Sequence, residues 1–445
     1  MRVLVAFDKF KNSISAPVAC DIAAGAIASA RAGWDCDRCP LSDGGEGFME
    51  ILTRSAGGTV FPAEADGPRG GRVAAAFGIV SNDRIPSGAR ARLGAAAAAP
   101  GGSVGIVEMS AASGLALLEA GMRDPLRATT RGTGQLILAA AGSGAGAILL
   151  GVGGSATHDL GLGALGALGI TFAGAGGETL DPPVPADWGA LRSIAGRVPC
   201  TLPPIFIACD VENSLLGPRG ALGALGISYA GEAGEAIGSI IPADWPALRR
   251  ITGRVSGRIP PILIACDVEN PLLGPRGALA VYGPQKGLRP EEAPALEAQG
   301  ARIAGMLCRH FGRPEDLAST PGAGAAGGIA FGLMAAAGAT LLPGFDLVAS
   351  WLRLDERLEA ADAVVTGEGR FDESSLSGKG PGSLVRRALA LGKPVHVFAG
   401  EVAVAVETPG LFTHAVTPPG MALSEALSRA PALLSEAVRR AFATR

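Results

Sequence analysis

The chain has 445 residues, 48% of them hydrophobic, with 67 glycines and 32 prolines but aromatics at only 4%. That length supports two or three cores. Glycine and proline are dispersed along the whole chain, which describes a globular protein with many tight connections and excludes disordered and collagen-like classes. A formal charge of −3 with no lysine or arginine block lacks the electrostatic footprint of a nucleic-acid binder.

Short apolar runs alternate with helical patterns in chain order. RVLVAF (2–7) reads as a strand and runs straight into Asp8 and Lys9, so no apolar leader is expected and the setting is read as cytoplasmic. Segments 15–32 and 45–56 carry apolar residues at helical spacing. Residues 81–102 show neither helical nor strand period and are expected to be a mobile excursion without chemistry. SVGIVEM (103–109) is the next strand, followed by a helix over 133–141 and the strand AILLGV (147–152). The uncharged stretch between Arg131 and His158 is broken by Gly142, Gly144 and Gly146, so it is read as a buried helix and strand, not a membrane span. PILIACD (261–267), ADAVVTG (361–367) and PVHVFAG (394–400) are further strands; 291–311 and 423–442 are helices. This alternation predicts an α/β fold with largely parallel sheets, whose ligands gather at the carboxyl ends of the strands.

The chain also contains a tandem repeat. Residues 163–219 align without gaps to 220–276, an offset of 57, and both copies open on GALGALGI, carry PADW and close on IACDVEN. Roughly two-thirds of the aligned positions are identical, far beyond shared apolar periodicity. Two copies do not make a solenoid, so one is expected to be an insertion into an otherwise complete fold. Because GGSAT continues directly into the first copy, the expected surplus is the end of copy one plus the start of copy two.

Five segments join glycine to charge: AFDKFKNS (6–13), SDGGEG (42–47), GGSATHD (153–159), the two copies of ACDVEN with Asp210 or Asp267, and TGEGRFDESSLSGKGP (366–381). Phosphoryl transfer requires such parts. Glycines let backbone N–H groups approach phosphate oxygens. Carboxylates hold Mg²⁺ and one accepts the proton of the attacking hydroxyl, while lysines offset the charge of the transferring group. Each segment alone reads equally as a turn or a helix cap; their recurrence at successive strand ends carries the reading. GAGAAG (322–327) and GLGALG (161–166) fit a dinucleotide pattern without its strand and acidic partner, so they are read as packing glycines. No P-loop lysine motif and no G-x-S-x-G elbow occur. The single C-x-x-C, Cys36 to Cys39, lacks a second ligand pair for zinc and is read as reduced thiols.

Taken together, FDKFKNSISA (7–16), LSDGGEG (41–47), VEMSAASGL (107–115), RDPLRATTRGTGQLI (123–137), GVGGSATHD (151–159), ACDVENPLLGPRGA (265–278), VYGPQKG (281–287), PGAGAAGG (321–328) and TGEGRFDESSLSGK (366–379) resemble the type 1 glycerate kinases. The resemblance runs from residue 1 to about 442 apart from 81–102 and one repeat unit. It implies ATP-dependent phosphorylation of D-glycerate, commonly to 2-phosphoglycerate, with no nucleic-acid or membrane partner. It also implies two α/β domains. One is Rossmann- or flavodoxin-like and discontinuous (1–66 and 288–445), the other is inserted (67–287), and the active site lies between them.

Within that resemblance, Asp43, Glu46, Asp267 and Lys11 are the expected catalytic set. Asp8, Gly153, Gly154, Ser155, Asp159, Lys286 and Lys379 are expected at substrate or phosphate, and Glu368 and Asp372 at Mg²⁺. Chain continuity with VYGPQKG favours Asp267 over Asp210 for the duplicated aspartate. The chain departs from the family pattern at Phe7 (usually proline), Lys9 (serine), His158 (asparagine), Leu160 (glycine) and Ser374 (glutamine). His158 is expected to alter the pH response or a substrate contact near Asp159. The alternative is a kinase-like binding protein whose surplus segment disturbs the cleft; a nucleotide-dependent oxidoreductase is disfavoured by the missing fingerprint.

Overall fold

The computed structural model describes residues 1–94, 99–209, 228–230, 250–252, 270–274, 277–372, 375, 380–403 and 408–443. Two sheets organise them. An all-parallel five-stranded sheet has the order Leu411–Ala415, Val395–Val402, Ala363–Phe371, Arg2–Phe7, Asp35–Arg38. A six-stranded sheet runs Thr340–Pro343, Ile205–Cys209, Ala147–Gly151, Ser103–Glu108, Arg72–Ser81, Thr59–Asp66. Its first four strands are mutually parallel and the last two join antiparallel. The α/β expectation holds, and the chain leaves the first sheet after Arg38 and returns to it at Ala363.

Strand alternation decides which side chains meet. Val3, Val5 and Phe7 face the helices Ala16–Ala30 and Leu423–Phe442, burying Ala19, Ala23, Ile27, Leu434 and Val438. Leu4 and Ala6 face the opposite core, which continues through Trp351, Phe345 and Leu52 to Val104, Ile106 and Leu149 of the second sheet. One apolar core therefore joins both sheets, and the Trp351 indole donates to the Leu52 carbonyl at 3.0 Å. The far face of the six-stranded sheet is covered by the helices Arg131–Gly142, Ala293–Phe311 and Ala325–Ala337 over Ile148, Leu150, Trp188 and Phe331.

Four features differ from the sequence reading. Sheet membership crosses the expected boundaries, because Thr59–Asp66 and Thr340–Pro343 both belong to the six-stranded sheet. The strands Asp35–Arg38, Arg72–Ser81 and Leu411–Ala415 were not expected, since their short or small-residue patterns lack a strong apolar alternation. Residues 81–102 are partly ordered as a helix, Ser87–Leu93, and Ile85, Ala89 and Leu93 at four-residue spacing are buried against the shared core. Finally, the strand slot between Ala147–Gly151 and Thr340–Pro343 is filled by Ile205–Cys209 of the first copy. The surplus thus begins later than expected, because Ile205, Ile207 and Ala208 are buried in the sheet. PILIACD (261–267) lies outside the described residues. Of the described residues that follow, Leu272 is buried.

The repeat also recurs as structure. Thr171–Ala173 pairs antiparallel with Ser193–Ala195, and Ser228–Ala230 pairs with Arg250–Thr252 in the equivalent register, 57 residues on. Local sequence reproduces the same ladder in both copies.

Candidate active site

The carboxyl ends of both sheets converge on one cleft. At its centre the loops 42–47 and 153–157 interlock through their backbones. The Gly153 N–H donates to the Gly44 carbonyl at 3.0 Å, and a Cβ on Gly153 would fall 2.6 Å from Gly45 Cα. Only glycine permits that approach. The cavity so formed measures about 530 Å³ and is lined by Lys11, Asp43 and Glu46 on one side and by Gly153, Gly154, Ser155 and Lys286 on the other. Its size suits a small polar ligand together with part of a nucleotide.

Carboxylates gather on the side of the five-stranded sheet: Asp43 and Glu46 line the cavity, and Asp8, Glu368 and Asp372 lie beside them without lining it. Asp8 directly follows the strand Arg2–Phe7 and is only 8% exposed. Burial pushes its carboxyl up to about 7; Lys9 opposes that, and Asp43 and Glu46 add to it. Lys9 Nζ donates to Asp43 Oδ1 at 3.2 Å and lies 3.9 Å from Asp8 Oδ1. Asp43 Oδ1 also accepts from the Gly45 N–H at 3.1 Å. Glu368 rises from within the strand Ala363–Phe371. Burial pushes it to about 7; the Ser375 hydroxyl opposes, and Asp8, Asp372 and Asp43 reinforce. Its Oε1 is buried without a hydrogen-bond partner among the described residues. Asp372 pairs with Arg370 at 3.3 Å and accepts from the Ser375 N–H at 3.4 Å.

Among the described residues this side carries the carboxylates Asp8, Asp43, Glu46, Glu368 and Asp372 against Lys9, Lys11 and Arg370, and the buried Glu368 Oε1 is an oxygen donor of the kind a divalent cation takes. Among the described residues no three acidic, histidine or cysteine side chains form a closed metal cage.

The facing wall is built for an anion. Lys286 is 2% exposed, and its ammonium donates to the Thr157 carbonyl at 2.7 Å and the Ser155 hydroxyl at 3.0 Å. Burial lowers it to about 7, with Asp159 opposing. Ser155, Gly154 and Gly153 follow the strand Ala147–Gly151 as a backbone cradle, and Gly154 takes φ +72°. Glu46 reaches toward that cradle: a Cβ on Gly154 would lie 3.6 Å from its Oε1.

Two expected residues behave otherwise. Asp159 is fully buried beneath the cleft and accepts from Thr130 N and Oγ1, Gly161 N and Gly163 N at 2.8–3.1 Å. Its oxygens are saturated by the fold and do not face the cavity. His158 is 3% exposed, and burial, with Lys286 second, lowers it to about 3. It stays neutral near physiological pH, so the expected pH response falls to Lys286. Leu160 takes φ +53°, a left-handed conformation that accounts for the glycine usual there. The glycines of GLGALG and GAGAAG do serve close packing: a Cβ on Gly163 would strike Thr129 Oγ1 and one on Gly327 the Thr157 carbonyl.

Lys379, Asp210 and Asp267 lie outside the described residues. Sequence reasoning missed Asn12, Arg123, Tyr282 and Gln285, which also line the cavity. All four stand in motifs already singled out, Asn12 in AFDKFKNS, Arg123 in RDPLR, and Tyr282 and Gln285 in VYGPQKG, where attention went to the charged residues and glycines of the first and to Lys286 of the last. Tyr282 donates to Asn270 Oδ1 at 2.9 Å, which brings the second copy's continuation to the cleft.

The family model described as "Glycerate kinase family" matches residues 3–227 and again 219–445. The chain belongs to the glycerate kinase family. The two matched segments overlap at residues 219–227, inside the duplication. Glycerate kinase of Bacillus subtilis (strain 168) is 32% identical over 402 residues, covering 90% of this chain and 85% of that one. Glycerate 2-kinase of Escherichia coli (strain K12) is 32% identical over 402 residues, covering 90% and 86%. The crystal structure of a Salmonella typhimurium LT2 protein assigned as a glycerate kinase 2 superposes with a TM-score of 0.67 at 29% identity, over 99% of this chain and 97% of that one. Kinase chemistry on a small molecule follows from membership. Among the described residues, no helix is long and apolar enough to cross a membrane.

Proposed function

We propose that this chain transfers the γ-phosphoryl group of ATP to D-glycerate and releases 2-phosphoglycerate. The supporting observation is the opposition, across one cavity, of a carboxylate wall and a wall of glycine backbone with Lys286. Lys286 and the Gly153–Ser155 cradle hold the anionic end of a substrate. Glu46, facing that cradle, accepts the proton of the attacking hydroxyl. Lys11 at the cavity edge, with Lys379, offsets charge on the transferring group. Glu368 and Asp372 would hold Mg²⁺, which supplies charge neutralisation at the phosphates. The free thiols of the described cysteines accord with a cytoplasmic setting.

A coupled assay with ATP, Mg²⁺ and D-glycerate tests this. ADP release that strictly requires glycerate is expected, with ³¹P NMR reporting the 2-phosphate ester. ATP binding without turnover would instead identify a non-catalytic binding protein, and a 3-phosphate ester would overturn the product.

For the duplicated aspartate, continuity with VYGPQKG supports Asp267. Occupancy of the sheet slot by Ile205–Cys209, which Asp210 follows in sequence, supports Asp210 as a second reading. Turnover lost in Asp267→Ala and kept in Asp210→Ala selects the first; the reverse selects the second.

A further inference from the structure

Lys9 stands among the carboxylates of the cleft, where a divalent cation would also be drawn. Its ammonium lies 3.2 Å from Asp43 Oδ1 and 3.9 Å from Asp8 Oδ1, and its side chain is 17% exposed. The space beside it is filled, since a Cβ on Gly45 would come within 3.2 Å of Nζ. Burial alone would discharge this amine. Asp43 and Asp8 outweigh that effect, and the amine is held above its ordinary range. It is therefore a permanent cation. Nearby, Glu368 keeps one buried oxygen, Oε1, without a hydrogen-bond partner among the described residues.

We propose that Lys9 is a built-in counter-ion that excludes a divalent cation from the Asp8–Asp43 side of the cleft and leaves metal binding to the Glu368 side. The physical reason is repulsion. A divalent ion bound directly to Asp8 or Asp43 would sit within a few ångströms of a monovalent ammonium in a partly dry site, where like charges interact strongly. Lys9 thus sets how many metal ions the cleft takes and where, and makes it a positioning residue for the proposed reaction. The inference rests on the reading that Glu368 faces the metal, and its test separates the two.

The probe is MnCl₂ alone, with free Mn²⁺ counted by electron paramagnetic resonance on the full chain. Wild type is expected to take up one ion, and Glu368→Gln to lose it. Lys9→Met should take up an additional ion, or bind Mn²⁺ about tenfold more tightly, and the double variant Lys9→Met/Asp43→Asn should lose that gain. Lys9→Arg, which keeps the charge, should match wild type. Unchanged number and affinity in Lys9→Met, or a gain in Lys9→Arg equal to that in Lys9→Met, overturns the proposal. If Lys9→Met proves unstable, its thermal midpoint should rise more on adding MnCl₂ than that of wild type; an equal or smaller rise also overturns it. Mn²⁺ binding that survives in Glu368→Gln while Lys9→Met still gains an ion refutes the Glu368 assignment and leaves the role of Lys9 standing.

Discussion

The two walls of the cleft use the same residue types to opposite ends. On the five-stranded side, carboxylates gather around a lysine that they keep charged. On the six-stranded side, a lysine is buried against neutral oxygens that leave it poised near neutrality. The same contrast holds for the acids. Asp159 has four donors and is fully buried, whereas Glu368 retains a buried oxygen unpartnered among the described residues. For these two acids hydrogen-bond satisfaction marks the difference: Asp159 is tied into the fold, and Glu368 has an oxygen left to meet a ligand.

The contrast can be broken most directly at Glu46. Glu46→Gln keeps the shape of the side chain and removes the proton acceptor, so kcat should fall by about a thousandfold with little change in ATP affinity. An unchanged kcat would move the base elsewhere on that wall.

Lys286→Met should cost about a hundredfold in kcat/KM for glycerate. Lys286 also sets a pH dependence. Its amine titrates at about 7 in the folded protein against an ordinary 10.5. Between those values the unfolded chain binds more protons, so stability rises with pH across that window. The cationic form is lost over the same rise, so KM for glycerate should climb above about pH 7. Lys286→Arg should hold KM flat to higher pH; a KM that climbs equally in Lys286→Arg would refute the assignment.

Asp159→Asn tests the saturated acid. It should lower stability by about 3 kcal/mol, because amide hydrogens would face backbone donors. The folded fraction should keep its kcat, as measured by denaturant titration beside initial rates. A selective loss of kcat would place Asp159 at the reacting centre. The smallest effect is expected at His158→Asn. With the imidazole neutral throughout the working range, turnover should change by less than about threefold and the pH profile should keep its shape.

Much of this arrangement was legible beforehand because it is local. Strand ends such as Phe7–Asp8 and Gly151–Gly153 announce themselves by an apolar run meeting glycine and charge, and the helices Ala16–Ala30 and Leu423–Phe442 follow apolar spacing. The burial of Asp159 and His158 was not legible, because their motif carries no sign of which side of the loop each side chain takes. The helix Ser87–Leu93 was missed because its buried face, Ile85, Ala89 and Leu93, is set among alanines and arginines that blur the period.

The glycine-and-charge loops, their order, the α/β alternation and the duplication are properties of the linear chain, since each depends on neighbours in sequence. Local sequence also dictates the hairpin ladder, which forms in both copies at the same register. Only the tertiary structure decided which loops face each other, that Lys9 lies between two carboxylates while Lys286 lies among neutral oxygens, and that Ile205–Cys209 takes the sheet slot. Two copies with nearly the same strand pattern cannot be ranked by periodicity. Their ranking depends on contacts with Ala147–Gly151 and Thr340–Pro343, strands distant in sequence that meet only in the folded sheet.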